Sequence, residues 1–133
     1  DVTDIRRHVQ YAGGYNEQQP YVQGLWQIIS EMTPEQQGNL LKFITSCSRQ
    51  PLRGFGQMDP KVCIQKVPQY STEQLHAVNE QGEHVTPTPM MARLPSASTC
   101  VNLLKLPQYD SIEILREKLL WAITNNNAGF ELS

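Results

Sequence analysis

The side chains best suited to covalent chemistry in this chain are its three cysteines, Cys47, Cys63 and Cys100. Cys47 follows an apolar helical stretch and reads as a small buried hydrophobe. Cys63 lies in KVCIQKV, Lys61 to Val67, whose alternation is that of a strand, and also reads as structural. Cys100 has different surroundings. In LPSASTCVNLLKLP, Leu94 to Pro107, a run of small residues (Pro95, Ser96, Ala97, Ser98) precedes Thr99 and Cys100. Val101, Leu103 and Leu104 then favour an extended segment that Pro107 closes. This places Cys100 where a loop enters a strand, a position that can expose a thiol, whereas mid-strand and mid-helix positions usually bury one. A thiolate is strongly nucleophilic near neutral pH and holds an acyl group as a reactive thioester.

Other chemistries fit less well. The cysteines are odd in number, widely spaced and lack a C-x-x-C pair, so neither a zinc site nor a disulfide scaffold is expected. A reducing cytosolic or nuclear compartment is the default. His76, His84 and Cys100 match no metal-ligand spacing, and the histidines read as solvated. No histidine has the context of a papain-like partner. Lys105 and Leu106 stand where a phosphatase loop would need arginine.

The elements that must position Cys100 are legible in part. Val2, Ile5 and Val9 give residues 1–14 the spacing of a short amphipathic helix, which Gly13 and Gly14 break. Pro20 opens a helix whose apolar face runs from Tyr21 and Val22 to Met32. Thr33-Pro34-Glu35-Gln36 starts another, with Thr33 and Gln36 at capping-box spacing and Leu40, Leu41, Phe43 and Ile44 as its stripe. The short connection favours an antiparallel helix pair. Residues 67–93 hold three prolines and two histidines. They admit either a hairpin around Asn79–Gly82 or a short helix at TEQLHAV, and partial disorder is expected there. Asp110 and Glu113 have capping-box spacing ahead of IEILREKLLWAIT, where Ile112, Leu115, Leu119, Ala122 and Ile123 share a face and the charges form a solvated one. Asn125 to Asn127 end that helix.

Several of these segments together resemble one family. L-P-x-x-x-T-C-x-N-x-L-x-L-P, met by Leu94, Pro95, Thr99, Cys100, Asn102, Leu104, Leu106 and Pro107, resembles the catalytic-cysteine segment of HECT-type ubiquitin-protein ligases. Leu40 to Phe55, LLKFITSCSRQPLRGF, resembles the helix and S-R-x-P-x-x-G-F segment of their C-terminal lobe, with Ser46 and Cys47 as a mild departure. The ending Gly129-Phe130-Glu131-Leu132-Ser133 resembles their C-terminal tail, which implies a natural terminus at Ser133. Tyr11 to Tyr15, YAGGY, resembles the junction between their two lobes. The wording of the cysteine segment and tail is most similar to the proteasome-associated subgroup.

The resemblance implies an α+β fold, a small sheet flanked by helices. Residues 1–14 would be the end of a preceding lobe and a hinge, and residues 15–133 the C-terminal lobe, with a variable loop at about 67–93. Cys100 would accept ubiquitin from a conjugating enzyme as a thioester and pass it to a substrate lysine. Thr99 and Asn102 would hydrogen-bond the thioester carbonyl or fix the loop. Phe130 would dock on the partner lobe during transfer to lysine, or pack on this lobe's own core. Many members carry His two residues before the cysteine. Ser98 stands there instead, so a neighbouring imidazole that would favour the thiolate is missing. Glu131 is a candidate general base by position only, beside an acid of the larger lobe. Arg49 would contact ubiquitin or the partner lobe, or tie carbonyls at a helix end. The implied partners are ubiquitin, a conjugating enzyme reached through the larger lobe, a protein substrate and the proteasome. No cofactor is implied.

The bulk properties agree with one domain. The chain has 133 residues, 39% hydrophobic and 18% charged, with a net charge of −2. That balance favours neither nucleic acid nor an anionic membrane as partner, and no apolar run is long enough to span a bilayer. A sequence that opens at Asp1 without Met reads as a piece of a longer protein. The competing reading is a ubiquitin-binding or protein-interaction module with an idle cysteine, with a cysteine hydrolase a distant third.

Overall fold

The structure is a computed structural model that describes residues 2–45 and 60–125. A short helix and strand come first in the described chain, followed by two amphipathic helices. Helix α1, Val2–His8, is short and leads into strand β1, Gln10–Ala12. Helix α2, Pro20–Glu31, has proline at its first turn, where the missing N–H costs nothing, and buries Val22, Leu25, Trp26, Ile28 and Ile29. Helix α3, Pro34–Thr45, begins at the capping box read from the sequence. The Thr33 hydroxyl accepts from the Gln36 N–H at 3.1 Å and the Gln36 side chain accepts from the Thr33 N–H at 2.9 Å.

Among the described residues the sheet has four strands. Strand β2, Cys63–Val67, pairs in parallel with β1 on one side and with β4, Leu103–Pro107, on the other. Strand β3, Ser96–Ser98, runs antiparallel to β4. In β2 and β4 the alternation sends Ile64, Leu104 and Leu106 to the buried face. There they meet Leu25 and Ile28 of α2 and Leu115 and Leu119 of helix α5, Ile112–Thr124, in one continuous core. Each such leucine or isoleucine contributes about 1.5–3 kcal/mol by leaving water. The chain is therefore α+β, with a small mixed sheet backed by helices.

Three local expectations change. The helix read over residues 1–14 stops at His8, and Gln10–Ala12 becomes a sheet strand because β2 offers it an open edge. The cap of α5 is Ser111, whose hydroxyl accepts from the Ile114 N–H at 3.2 Å. The Asp110 carboxylate instead accepts from the Gln69 side chain at 3.3 Å. Residues 67–93 form both elements that the sequence left as alternatives. A one-turn helix α4, Thr72–Leu75, is capped by Ser71, and a reversal beyond it pairs Val78 with His84.

Candidate active site

Strands β3 and β4 are joined by Thr99-Cys100-Val101-Asn102, and Ser98 faces Leu103 as the last pair of the ladder. Cys100 thus sits at the tip of a tight hairpin, on a 3₁₀ turn spanning Thr99–Val101. The small-residue run before it is not a loop but the edge strand β3. Its low intrinsic β preference is overridden by pairing with Leu103 to Lys105 of β4. Val101, read from the sequence as the start of the strand, belongs to the turn and is exposed.

The turn closes through Asn102. It is the one non-glycine residue with positive φ among the described residues, at φ 53° and ψ 45°. Asparagine tolerates this left-handed conformation better than most residues, and it lets a four-residue connection rejoin the strand. Three hydrogen bonds fix the position. The Asn102 N–H donates to the Thr99 carbonyl at 3.4 Å, the Asn102 Nδ2 donates to the Pro60 carbonyl at 2.7 Å, and the Asn102 carbonyl accepts from the Cys63 N–H at 3.0 Å. The hairpin tip is thereby tied to the entrance of β2, while α3 packs beside the turn and β3.

Cys100 and Thr99 are both exposed, so the thiol is open to a reactant from solvent. Cys63 is half-buried near the same end of the sheet, and burial pushes its thiol up from the ordinary cysteine range. The structure therefore separates the two described thiols: one presented on a turn, one half-buried in a strand.

Behind the turn, three tyrosines hold the far end of β4. The Tyr15 hydroxyl donates to the Leu106 carbonyl at 2.7 Å, and the Tyr21 hydroxyl donates to the Pro107 carbonyl at 2.8 Å while accepting from the Tyr109 N–H at 2.9 Å. The Tyr109 hydroxyl donates to the Arg93 carbonyl, just ahead of β3. Both strands of the cysteine hairpin are thus anchored at their bases. The sequence offered little signal for these anchors, because each joins a phenol to a carbonyl far along the chain. The Pro60 contact was equally silent, although an asparagine just ahead of a strand hints at a left-handed turn.

Thr99, Cys100 and Asn102 share one turn, and the Asn102 side chain faces the scaffold through Pro60. His76 and His84 bond to the carbonyls of Thr72 and Leu75 within their own segment. Among the described residues no three His, Cys, Asp or Glu side chains stand close enough to hold a metal, and no helix is long and apolar enough to cross a membrane. Cys47, Arg49, Phe130 and Glu131 lie outside the described residues.

The profile of the HECT-domain (ubiquitin-transferase) family matches residues 1–133. The chain is 40% identical over 133 residues to the E3 ubiquitin-protein ligase UPL6 of Arabidopsis thaliana. It is 41% identical over 138 residues to the ubiquitin-protein ligase E3B of Mus musculus, and 41% identical over 133 residues to the E3 ubiquitin-protein ligase HUL5 of Saccharomyces cerevisiae. In each case all of this chain is covered, but only 11%, 13% and 12% of the relative.

Proposed function

The chain belongs to the HECT-domain (ubiquitin-transferase) family, and from that premise we propose that Cys100 is the acceptor thiol through which ubiquitin passes to a substrate lysine. The observation that carries this reading is the exposed thiol at a hairpin tip whose backbone Asn102 pins to the start of β2.

The chemistry is two acyl transfers. The Cys100 thiolate attacks the thioester carbonyl at the ubiquitin C-terminus on a conjugating enzyme. The enzyme's cysteine leaves as thiolate, and a new thioester forms on Cys100. A lysine amine of the substrate then attacks that carbonyl, gives up its proton to a base, and expels the Cys100 thiolate as the isopeptide bond forms. An open turn suits both steps, since two large proteins must reach one sulfur in succession. Asn102 acts by holding the turn. Thr99 precedes Cys100 on the same turn, and its hydroxyl would bond the thioester carbonyl. Phe130 would dock on a larger lobe for the lysine step.

In this reading residues 15–133 are the C-terminal lobe, and residues 1–14 end the preceding lobe while lending β1 to the sheet. Residues 67–93 are the variable loop. The conjugating enzyme is recruited elsewhere in a longer protein, the proteasome is a further partner, and the work is done in the cytosol or nucleus.

The test uses ubiquitin carrying a C-terminal electrophile, mixed with the chain and with Cys100→Ala. Intact and peptide mass spectrometry locate the adduct. One adduct on Cys100, absent from the variant, is the expected result. Labelling confined to Cys47 or Cys63 overturns it, and a reversible complex without adduct returns the chain to the class of binding modules.

A further inference from the structure

Between β2 and β3 the chain leaves the sheet and returns as a separate arm. Five of the eight exposed large apolar side chains among the described residues lie on it: Leu75, Val78, Val85, Met90 and Met91. Exposed apolar groups concentrated in one segment point to an interaction surface rather than ordinary surface scatter. The same arm carries Glu73, Glu80 and Glu83, all exposed, and no lysine or arginine occurs from Val67 to Ala92.

The arm is held in shape by hydrogen bonds, so its apolar groups are presented rather than merely loose. Ser71 and Gln74 form a capping box, and the Gln74 side chain donates to the Met91 carbonyl at 3.0 Å. The His84 ring bonds the Leu75 carbonyl at 2.8 Å, and the Val85 N–H donates to the Ala77 carbonyl at 2.9 Å. Asn79 accepts from the N–H groups of Gln81 and Glu83 at 2.9 Å. At the base, the Arg93 N–H donates to the Gln69 carbonyl at 2.6 Å.

We propose that this arm is a docking surface for ubiquitin, taking an apolar face of it that is rimmed by lysine and arginine. The charge argues for that chemistry. Three exposed carboxylates on a segment without lysine or arginine repel an acidic partner and attract a basic rim, while the apolar groups supply the contact. The position argues for the same occupant. Met91 is nine residues before Cys100, a reach of at most about 30 Å for extended chain, roughly the diameter of one small domain. A small protein tethered to the Cys100 sulfur by its C-terminus can therefore touch the arm. The inference rests on the reading of Cys100 as the ubiquitin carrier, because that reading brings ubiquitin here.

The test is a titration of isotope-labelled ubiquitin with the full 133-residue chain bearing Cys100→Ala, read by NMR. Met90, at 91% exposed, and Glu80, exposed and without a structural contact among those described, are the positions to change. Shifts confined to one basic-rimmed apolar face of ubiquitin are expected. They weaken about tenfold in Met90→Asp, the size of effect that removal of one anchor side chain produces. They weaken again in Glu80→Lys, more at low salt than at high salt. Shifts that both variants leave unchanged overturn the proposal. So does self-association of the chain through the arm without ubiquitin shifts. Reaction of electrophilic ubiquitin with the Cys100 chain separates this from the carrier reading. An adduct on Cys100 with no shifts overturns the docking surface alone, while arm-dependent shifts with no adduct uphold docking and count against the carrier.

Discussion

The side-chain amide of Asn102 donates to the carbonyl of Pro60 at 2.7 Å, across forty-two positions of sequence. The turn that carries Cys100 is in this way held by the entrance of a different strand, so the position of the thiol depends on a contact far along the chain.

Replacement of Asn102 by alanine removes that bond and forces a β-carbon-bearing residue without a compensating amide into the left-handed region. A loss of about 1–2 kcal/mol in stability follows. Asn102→Gly keeps the backbone conformation and loses less. Both variants form the Cys100 adduct more slowly than the wild type. Urea unfolding and the rate of reaction with electrophilic ubiquitin measure the two effects, and an unchanged rate in both variants would remove Asn102 from the positioning role.

Gly13 has φ +74°, and a β-carbon there would stand 2.7 Å from the backbone oxygen of Lys66. Gly13→Ala therefore carries backbone strain and a steric conflict with β2 that no side-chain rotation relieves. The expected outcome is release of β1. Its signature is faster hydrogen exchange at the amide of Gln10, which donates to the Val62 carbonyl at 2.9 Å, with β4 still protected.

The tyrosines that anchor β4 set an alkaline limit. Burial pushes the Tyr21 phenol from 10.0 up to about 12, and Tyr15 and Tyr109 move in the same direction. Folding favours the neutral phenol, so this contribution is complete below pH 10 and is lost as pH rises from 10 toward about 12. Denaturant midpoints between pH 9 and about 11.5 should fall with pH. Tyr21→Phe should be less stable at neutral pH, where it loses the bond to Pro107, and should show a shallower alkaline decline.

The two described thiols should react at different rates. In a Cys47→Ser background, iodoacetamide labels exposed Cys100 first, and half-buried Cys63, its thiol pushed up by burial, follows about tenfold or more behind. Mass spectrometry of timed samples gives both rates. Equal rates would mean that the strand does not shield Cys63.

The sequence by itself determined the elements whose causes are local. Proline at the start of α2, the Thr33–Gln36 box before α3 and the 3.6-residue stripe of α5 are all short-range effects, and each helix formed where those residues stood. The strand after Cys100 was legible for a related reason, because Leu103 and Leu104 favour an extended segment that Pro107 closes. The tertiary structure decided what depends on partners distant in sequence. Ser96–Ser98 has little reason to be a strand until β4 lies beside it, and Gln10–Ala12 none until β2 presents an edge. Asp110 lost the helix cap to Ser111 while its carboxylate met Gln69, forty-one positions earlier in the chain. Non-local hydrogen bonds leave no periodicity in the chain, so the anchors of the Cys100 hairpin, from Pro60 to the three tyrosine hydroxyls, exist only once the sheet has assembled.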